Sequence, residues 1–255
     1  MNARFFYKTL SVMAALFLTC AMLRAESASD LIRKGDVFDQ KFQATEALQF
    51  YLPAEKLEPK DVRILVRIAR QYRHLMTDAA TKEEKLRLGG LALEYSQRAA
   101  ALAPNDSEAQ IAIGITYGKM LAFASNKEKS EATPRIKASA DLAIALDPRN
   151  DTAWHVLGRW HRVLADVGTV KRALAQVIYG KLPTTTNEAA VVCFEKAIAI
   201  NPNRLMHYIE LGLTYAQMGR KEDARRFLTK GIAMPDVEKD DPAIKQRGRE
   251  ALEKL

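Results

Sequence analysis

The chain has 255 residues, 48% of them hydrophobic, with 39 basic against 31 acidic side chains and a formal charge of +8. That length and apolar content suffice for one sizeable core or a continuous solenoid core. The basic excess is mild and no Lys/Arg-rich run is interleaved with aromatics, which argues against nucleic acid and leaves only a weak preference for anionic partners.

Residues 1–25 read MNARFFYKTLSVMAALFLTCAMLRA. Arg4 and Lys8 open the segment, residues 9–23 are uncharged and mostly apolar, and Ala25 with Leu23 two before it makes a tolerable cleavage site. The apolar run is shorter than the roughly 18 residues a spanning helix needs. The segment reads as a signal peptide and the chain as exported, periplasmic or secreted; the alternative is a membrane anchor over 9–23. Removing Arg4, Lys8 and Arg24 with the leader lowers the charge to +5. Cys193 is then the only thiol, so the fold must hold by packing. Between Val192 and Phe194 on an apolar helix, Cys193 reads as a small buried hydrophobe.

After the leader the sequence repeats. LALEYSQRAAALAPND (91–106), ADLAIALDPRND (140–151) and CFEKAIAINPN (193–203) are versions of one amphipathic helix that stops at a proline. Each has a partner helix upstream. The first unit offers Leu31, Gly35, Phe38, Ala47, Tyr51 and Ala54, and the second Leu65, Ile68, Ala69 and Tyr72. The third has Ile113, Gly114 and Tyr117, the fourth Trp154, Leu157 and Gly158, and the fifth Tyr208, Leu211, Gly212, Tyr215, Ala224 and Leu228. This resembles the tetratricopeptide repeat, with W-x2-L-G-x2-Y on one helix, A-x3-F on the next, then P. The large residues make one face at helical spacing, and Gly and Ala let two antiparallel helices approach. The predicted fold is all-α, a tetratricopeptide-repeat-like α-solenoid of five units over 26–235, closing near Pro59, Pro104, Pro148, Pro202 and Pro235.

Only the last interval is close to the ~34-residue period, so three units carry inserts of about 10 to 20 residues between their helices. In the second unit Thr81 with Glu84 predicts the cap of one long helix. In the third, SNKEKSEA is expected to be a polar loop, with Thr133-Pro134 as cap and first-position proline. In the fourth, Val170, Ala173, Leu174, Val177 and Ile178 predict an inserted amphipathic helix over 169–180, ended by Gly180. It would lie on the outside of the solenoid or over the groove as a lid. Thr185 with Glu188 then predicts the next capping box. Residues 236–255 predict a terminal helix with Asp241 as cap and Pro242 first, covering the last repeat.

The stretch GRWHRVLADVGTVKRALAQVIYGKLPTTTNEAAVVCFEKAIAINPN (158–203) narrows the match. Repeat, long insert and PTTT loop together resemble the regulator of microtubule dynamics family, over about Asp61 to Pro235. The resemblance implies a helical-repeat protein associated with microtubules, mitochondria or the endoplasmic reticulum, with lipid handling implicated for one human member. Microtubule binding is implied by the resemblance alone, and an exported chain would meet no microtubules.

Motifs that carry chemistry are few. The four histidines are His74, His155, His161 and His207, of which His155 and His161 are six apart, on different helix faces. No metal-binding pair, G-x-S-x-G or phosphate-binding glycine loop occurs, so no enzyme, no metal and no cofactor is expected. Glu83-Glu84 and Asp240-Asp241 sit near helix starts, where carboxylates favour the dipole. One constellation stands out. Arg63, Arg67, Arg70 and Arg73 recur at spacings of about one turn on one stripe, and the equivalent face of later units offers Lys119, His155, Arg159 and Arg162. Ile111, Ile115, Ile209 and Leu213 add apolar surface. The bland reading is a solvated basic face; the functional one is a concave groove, basic at one end and apolar at the other. Arginine forks suit carboxylates and phosphates. Two functions follow: a scaffold holding an acidic protein or peptide segment, or a carrier for a lipid or anionic amphiphile. The carrier needs an enclosed cavity of ~300 Å³ or more, whereas a peptide groove stays open.

Overall fold

Capping side chains and prolines set the helix boundaries in the computed structural model, which describes residues 26–168 and 183–255. The leader and the helix expected over 169–180 lie outside the described residues. The described chain forms eleven α-helices and no strand. In chain order they are α1 (Ala28–Asp39), α2 (Ala44–Leu57), α3 (Val62–Asp78), α4 (Lys82–Leu102), α5 (Ser107–Met120) and α6 (Asn126–Leu146). Then come α7 (Asp151–Ala165), α8 (Asn187–Ile200), α9 (Leu205–Gln217), α10 (Lys221–Ala233) and α11 (Asp241–Leu252). Ser27, Asp61, Thr81, Asp106 and Asn150 each accept a backbone N–H at the start of the helix that follows. Two-residue turns at Pro59, Pro104, Pro148 and Pro202 separate the helix pairs.

Odd-numbered helices α1 to α9 pack against the helices that follow them, and neighbouring pairs stack. The fit depends on small residues. A β-carbon on Gly158 would meet the Phe194 ring at 2.7 Å, and one on Gly212 would meet Leu228 at the same distance. Phe194, Tyr51, Leu211 and Leu228 are fully or almost fully buried, as the repeat pattern requires. Burying each such side chain contributes roughly 1.5–3 kcal/mol. Helices α3, α5, α7 and α9 also touch one another in succession, forming an inner layer. This is a tetratricopeptide-like solenoid, with α11 packed on α9 and α10.

Three predicted boundaries move. Helix α6 begins at Asn126, so SNKEKSEA is its cap and first turns, and Pro134 lies inside the helix. Ser125 and Glu128 close a complete capping box, with the Glu128 carboxylate accepting the Ser125 N–H at 2.6 Å. Thr133 gives its hydroxyl to the Lys129 carbonyl at 2.6 Å, and its own carbonyl accepts the Trp160 indole N–H at 3.0 Å. These bonds hold the turn that Pro134 would otherwise weaken. Helix α8 is capped by Thr186, one residue later than expected, while Thr185 is drawn to His161 Nδ1. Asp241 is the first residue of α11 and buries its carboxylate on the Val237 and Glu238 N–H groups, both at 2.8 Å.

Candidate functional site

The inner layer carries the stripe, and the structure divides it. Arg63 is 70% exposed and folds back on the cap of its own helix, Asp61, at 2.6 Å. Arg67 reaches α1, with its Nε donating to Asp36 Oδ1 at 2.7 Å, and Arg70 pairs with Asp39, also on α1. Only Arg73, the innermost, meets no carboxylate among the described residues. It is 7% exposed, and its one hydrogen bond runs from Nη1 to Thr116 Oγ1 at 3.3 Å. Burial pulls its guanidinium down to about 10, so it stays charged at neutral pH.

Arg73 faces a cavity of about 380 Å³ between α3, α5 and α7. Ile115, Leu121, Ile136, Val156 and Trp160 make much of its apolar wall. Arg70, Lys119, His155 and Arg159 also line it; Arg63, Arg67 and Arg162 do not. The remaining cations are answered by distant carboxylates. Lys119 pairs with Asp240, and Thr77 donates to the same carboxylate at 3.0 Å. Arg204 pairs with Asp151 and Glu238, both at 3.1 Å. Glu108 lines the cavity too and is held by Asn150 Nδ2 at 3.0 Å.

Asp240, Glu238 and Ile244 show what closes the concave side. The segment entering α11 crosses from the last repeat to α3 and α5, where Lys239 also meets Asp78 at 2.9 Å. It forms a strap over the cavity. The acidic pair Asp240-Asp241 thus does more than favour a dipole: one carboxylate fastens the strap and the other caps a turn.

Arg159 and Arg162 converge with Arg247 on Glu210, which is 1% exposed. Burial alone would raise this carboxyl, but Arg159, Arg162 and Arg247 together hold it far below the usual carboxylate range. Arg159 Nε lies 3.4 Å from Glu210 and makes no hydrogen bond, and Arg204 Nε is likewise a buried donor without an acceptor. Two arginines on the wall are therefore short of acceptors.

Sequence reasoning missed Glu210, Arg204, His207 and the strap. His207 is fully buried beside His155, with Nδ1 to Nδ1 at 3.0 Å. His74 also lines the cavity; burial pushes it down to about 4, aided by Lys119. Among the described residues no cluster of His, Cys, Asp and Glu could hold a metal ion, and no helix is long and apolar enough to cross a membrane.

Stacked helical pairs around an inner layer place the chain among the tetratricopeptide-like helical-repeat proteins. A thermophilic tetratricopeptide protein of Thermus thermophilus superposes with a TM-score of 0.61 at 17% identity, covering 89% of this chain and 99% of that one. The more particular assignment comes from sequence. The family described as regulator of microtubule dynamics protein 1-3 matches residues 31–255, and the chain belongs to that family. The chain is 27% identical to the Bos taurus regulator of microtubule dynamics protein 1 over 96% of its own length and 78% of the relative's. It is 22% identical to the human regulator of microtubule dynamics protein 2 over 76% and 48% of the two chains.

Proposed function

We propose that the chain is a non-enzymatic binding protein whose concave cavity takes a small anionic amphiphile, an acidic head carried on one apolar chain. The observation that supports this reading is Arg73: a buried guanidinium with no carboxylate partner among the described residues, facing a cavity whose wall is largely apolar. Keeping such a charge out of water costs several kcal/mol unless an anion meets it. The volume of about 380 Å³ falls in the range of small-molecule sites. Native mass spectrometry of the purified protein, with mass analysis of an organic extract, tests the reading. A stoichiometric acidic lipid or fatty acid is expected. A ligand-free protein that also fails to take up dodecanoate would contradict it.

The stacked-pair fold and the family's name favour a second reading, a protein partner whose acidic segment or terminal carboxylate enters the groove. Such a segment would have to lift the strap that Asp240 fastens. Microtubules as partner rest on family membership alone. The leader supports export as part of the proposal, and the mature protein should begin near Glu26 by mass; a soluble chain retaining Met1 would contradict it.

A further inference from the structure

Behind the cavity wall runs a chain of polar groups, buried at His155 and His207 and partly buried at Asp151. Asp151 Oδ2 accepts from Arg204 Nη1 at 3.1 Å and from His207 Nε2 at 2.9 Å. His207 Nδ1 lies 3.0 Å from His155 Nδ1. His155, 6% exposed, lines the cavity with its ring edge-on to Phe194, and no described group bonds its Nε2. Asp151, His207 and His155 thus form one line from a partly buried ion pair to the cavity.

The protons along this line are determined. Burial would raise the Asp151 carboxyl, but the hydrogen bond from His207 and the charge of Arg204 hold it low, so it is ionised and only accepts. His207 must therefore carry its proton on Nε2. Burial lowers both imidazoles, and His155 is lowered further by its neighbour, so both are neutral near pH 7. A neutral ring protonated on Nε2 has a lone pair on Nδ1. That lone pair needs a donor, which is His155 Nδ1–H. His155 Nε2 is then left with a lone pair, on a residue that lines the cavity.

We infer that His155 Nε2 is a hydrogen-bond acceptor that selects, among anionic amphiphiles, those with a hydroxyl or other donor beside the acidic head. Asp151 and His207 are positioning residues that fix this tautomer. The assignment rests on the amphiphile reading of the cavity. A plain carboxylate or phosphate satisfies Arg73 and leaves His155 without a partner, whereas a hydroxylated acid satisfies both. Such a site discriminates because only the hydroxylated acid adds a hydrogen bond to His155 inside a largely apolar cavity.

The experiment compares 3-hydroxydodecanoate with dodecanoate by titration calorimetry, for the full chain and for His155→Phe. The hydroxylated acid should bind the natural protein about fivefold more tightly, the effect of one net hydrogen bond. His155→Phe should lose the preference, with the two acids binding it at equal affinity. Nitrogen-15 shifts of the histidine rings provide an arm that does not depend on the variant folding. His155 should be protonated on Nδ1 and His207 on Nε2, and the His155 Nε2 signal should move when the hydroxylated acid is added. Equal affinities in the natural protein, or a proton on His155 Nε2, would overturn the assignment while leaving the amphiphile reading intact. Failure of both acids to bind would overturn the two together.

Discussion

Two arginine clusters in this molecule are built in opposite ways. At Glu210 three guanidinium groups converge on one buried carboxylate, and the charges are paired although Arg159 Nε makes no hydrogen bond. At Arg73, on the same inner layer, one buried guanidinium meets no carboxylate among the described residues and faces a cavity. The difference shows that a basic stripe says little about where charge is available. Availability is decided by carboxylates from elsewhere: Asp36 and Asp39 silence Arg67 and Arg70 from the previous pair, and Asp240 silences Lys119 from the far end of the chain.

The largest test of the contrast is Glu210→Gln. It leaves Arg159, Arg162 and Arg247 facing one another without a counter-charge, and stability should fall by about 3–5 kcal/mol. Chemical denaturation reads this, and a loss below about 1 kcal/mol would mean that the cluster is not a closed ion pair.

Acid separates the buried histidines of the layer from Glu210. His74, beside Arg73, stays neutral in the fold down to about 4, whereas an unfolded histidine takes up its proton near 6.5. Between those values the unfolded state binds more protons, so stability falls as pH falls, by about 3 kcal/mol for this residue alone. The buried His155 and His207 act in the same direction. Glu210, held low, adds its own loss only below the ordinary glutamate value near 4.5. Denaturation midpoints that stay flat between pH 7 and 4.5 would contradict the burial of these rings.

Smaller effects follow at the silenced arginines. Arg67→Gln removes a partly buried pair to Asp36 and should cost about 1 kcal/mol without altering ligand affinity. The smallest stability change belongs to Arg73→Met, which replaces an uncompensated charge by an apolar chain of similar length. Stability should be unchanged or rise by about 1 kcal/mol.

The helix pairs were legible because their determinants are local. Prolines stop the second helices, and Gly158 and Gly212 sit where Phe194 and Leu228 must approach. Caps were less secure where two local signals competed. Ser125 with Glu128 and Thr133 with Pro134 both announce a helix start, and the complete capping box prevailed because Thr133 and Trp160 support the turn around Pro134. The site was legible only as a list of cations. Their neutralisation is set by residues 31 positions away for Arg67 and 121 for Lys119, which no local pattern carries. For the same reason charge reversal at Arg67 and Arg70 is not a silent surface change: it would set like charges against Asp36 and Asp39. His155 and His207, 52 residues apart, gave no sign of meeting.

Arg73 as the charge left free for a ligand is tested most directly by titrating dodecanoate into the natural protein and into Arg73→Met. Binding to the natural protein is expected, with a loss of about tenfold or more in the folded variant, the effect of a charge-assisted hydrogen bond. Equal affinity in the two proteins would contradict that role for Arg73.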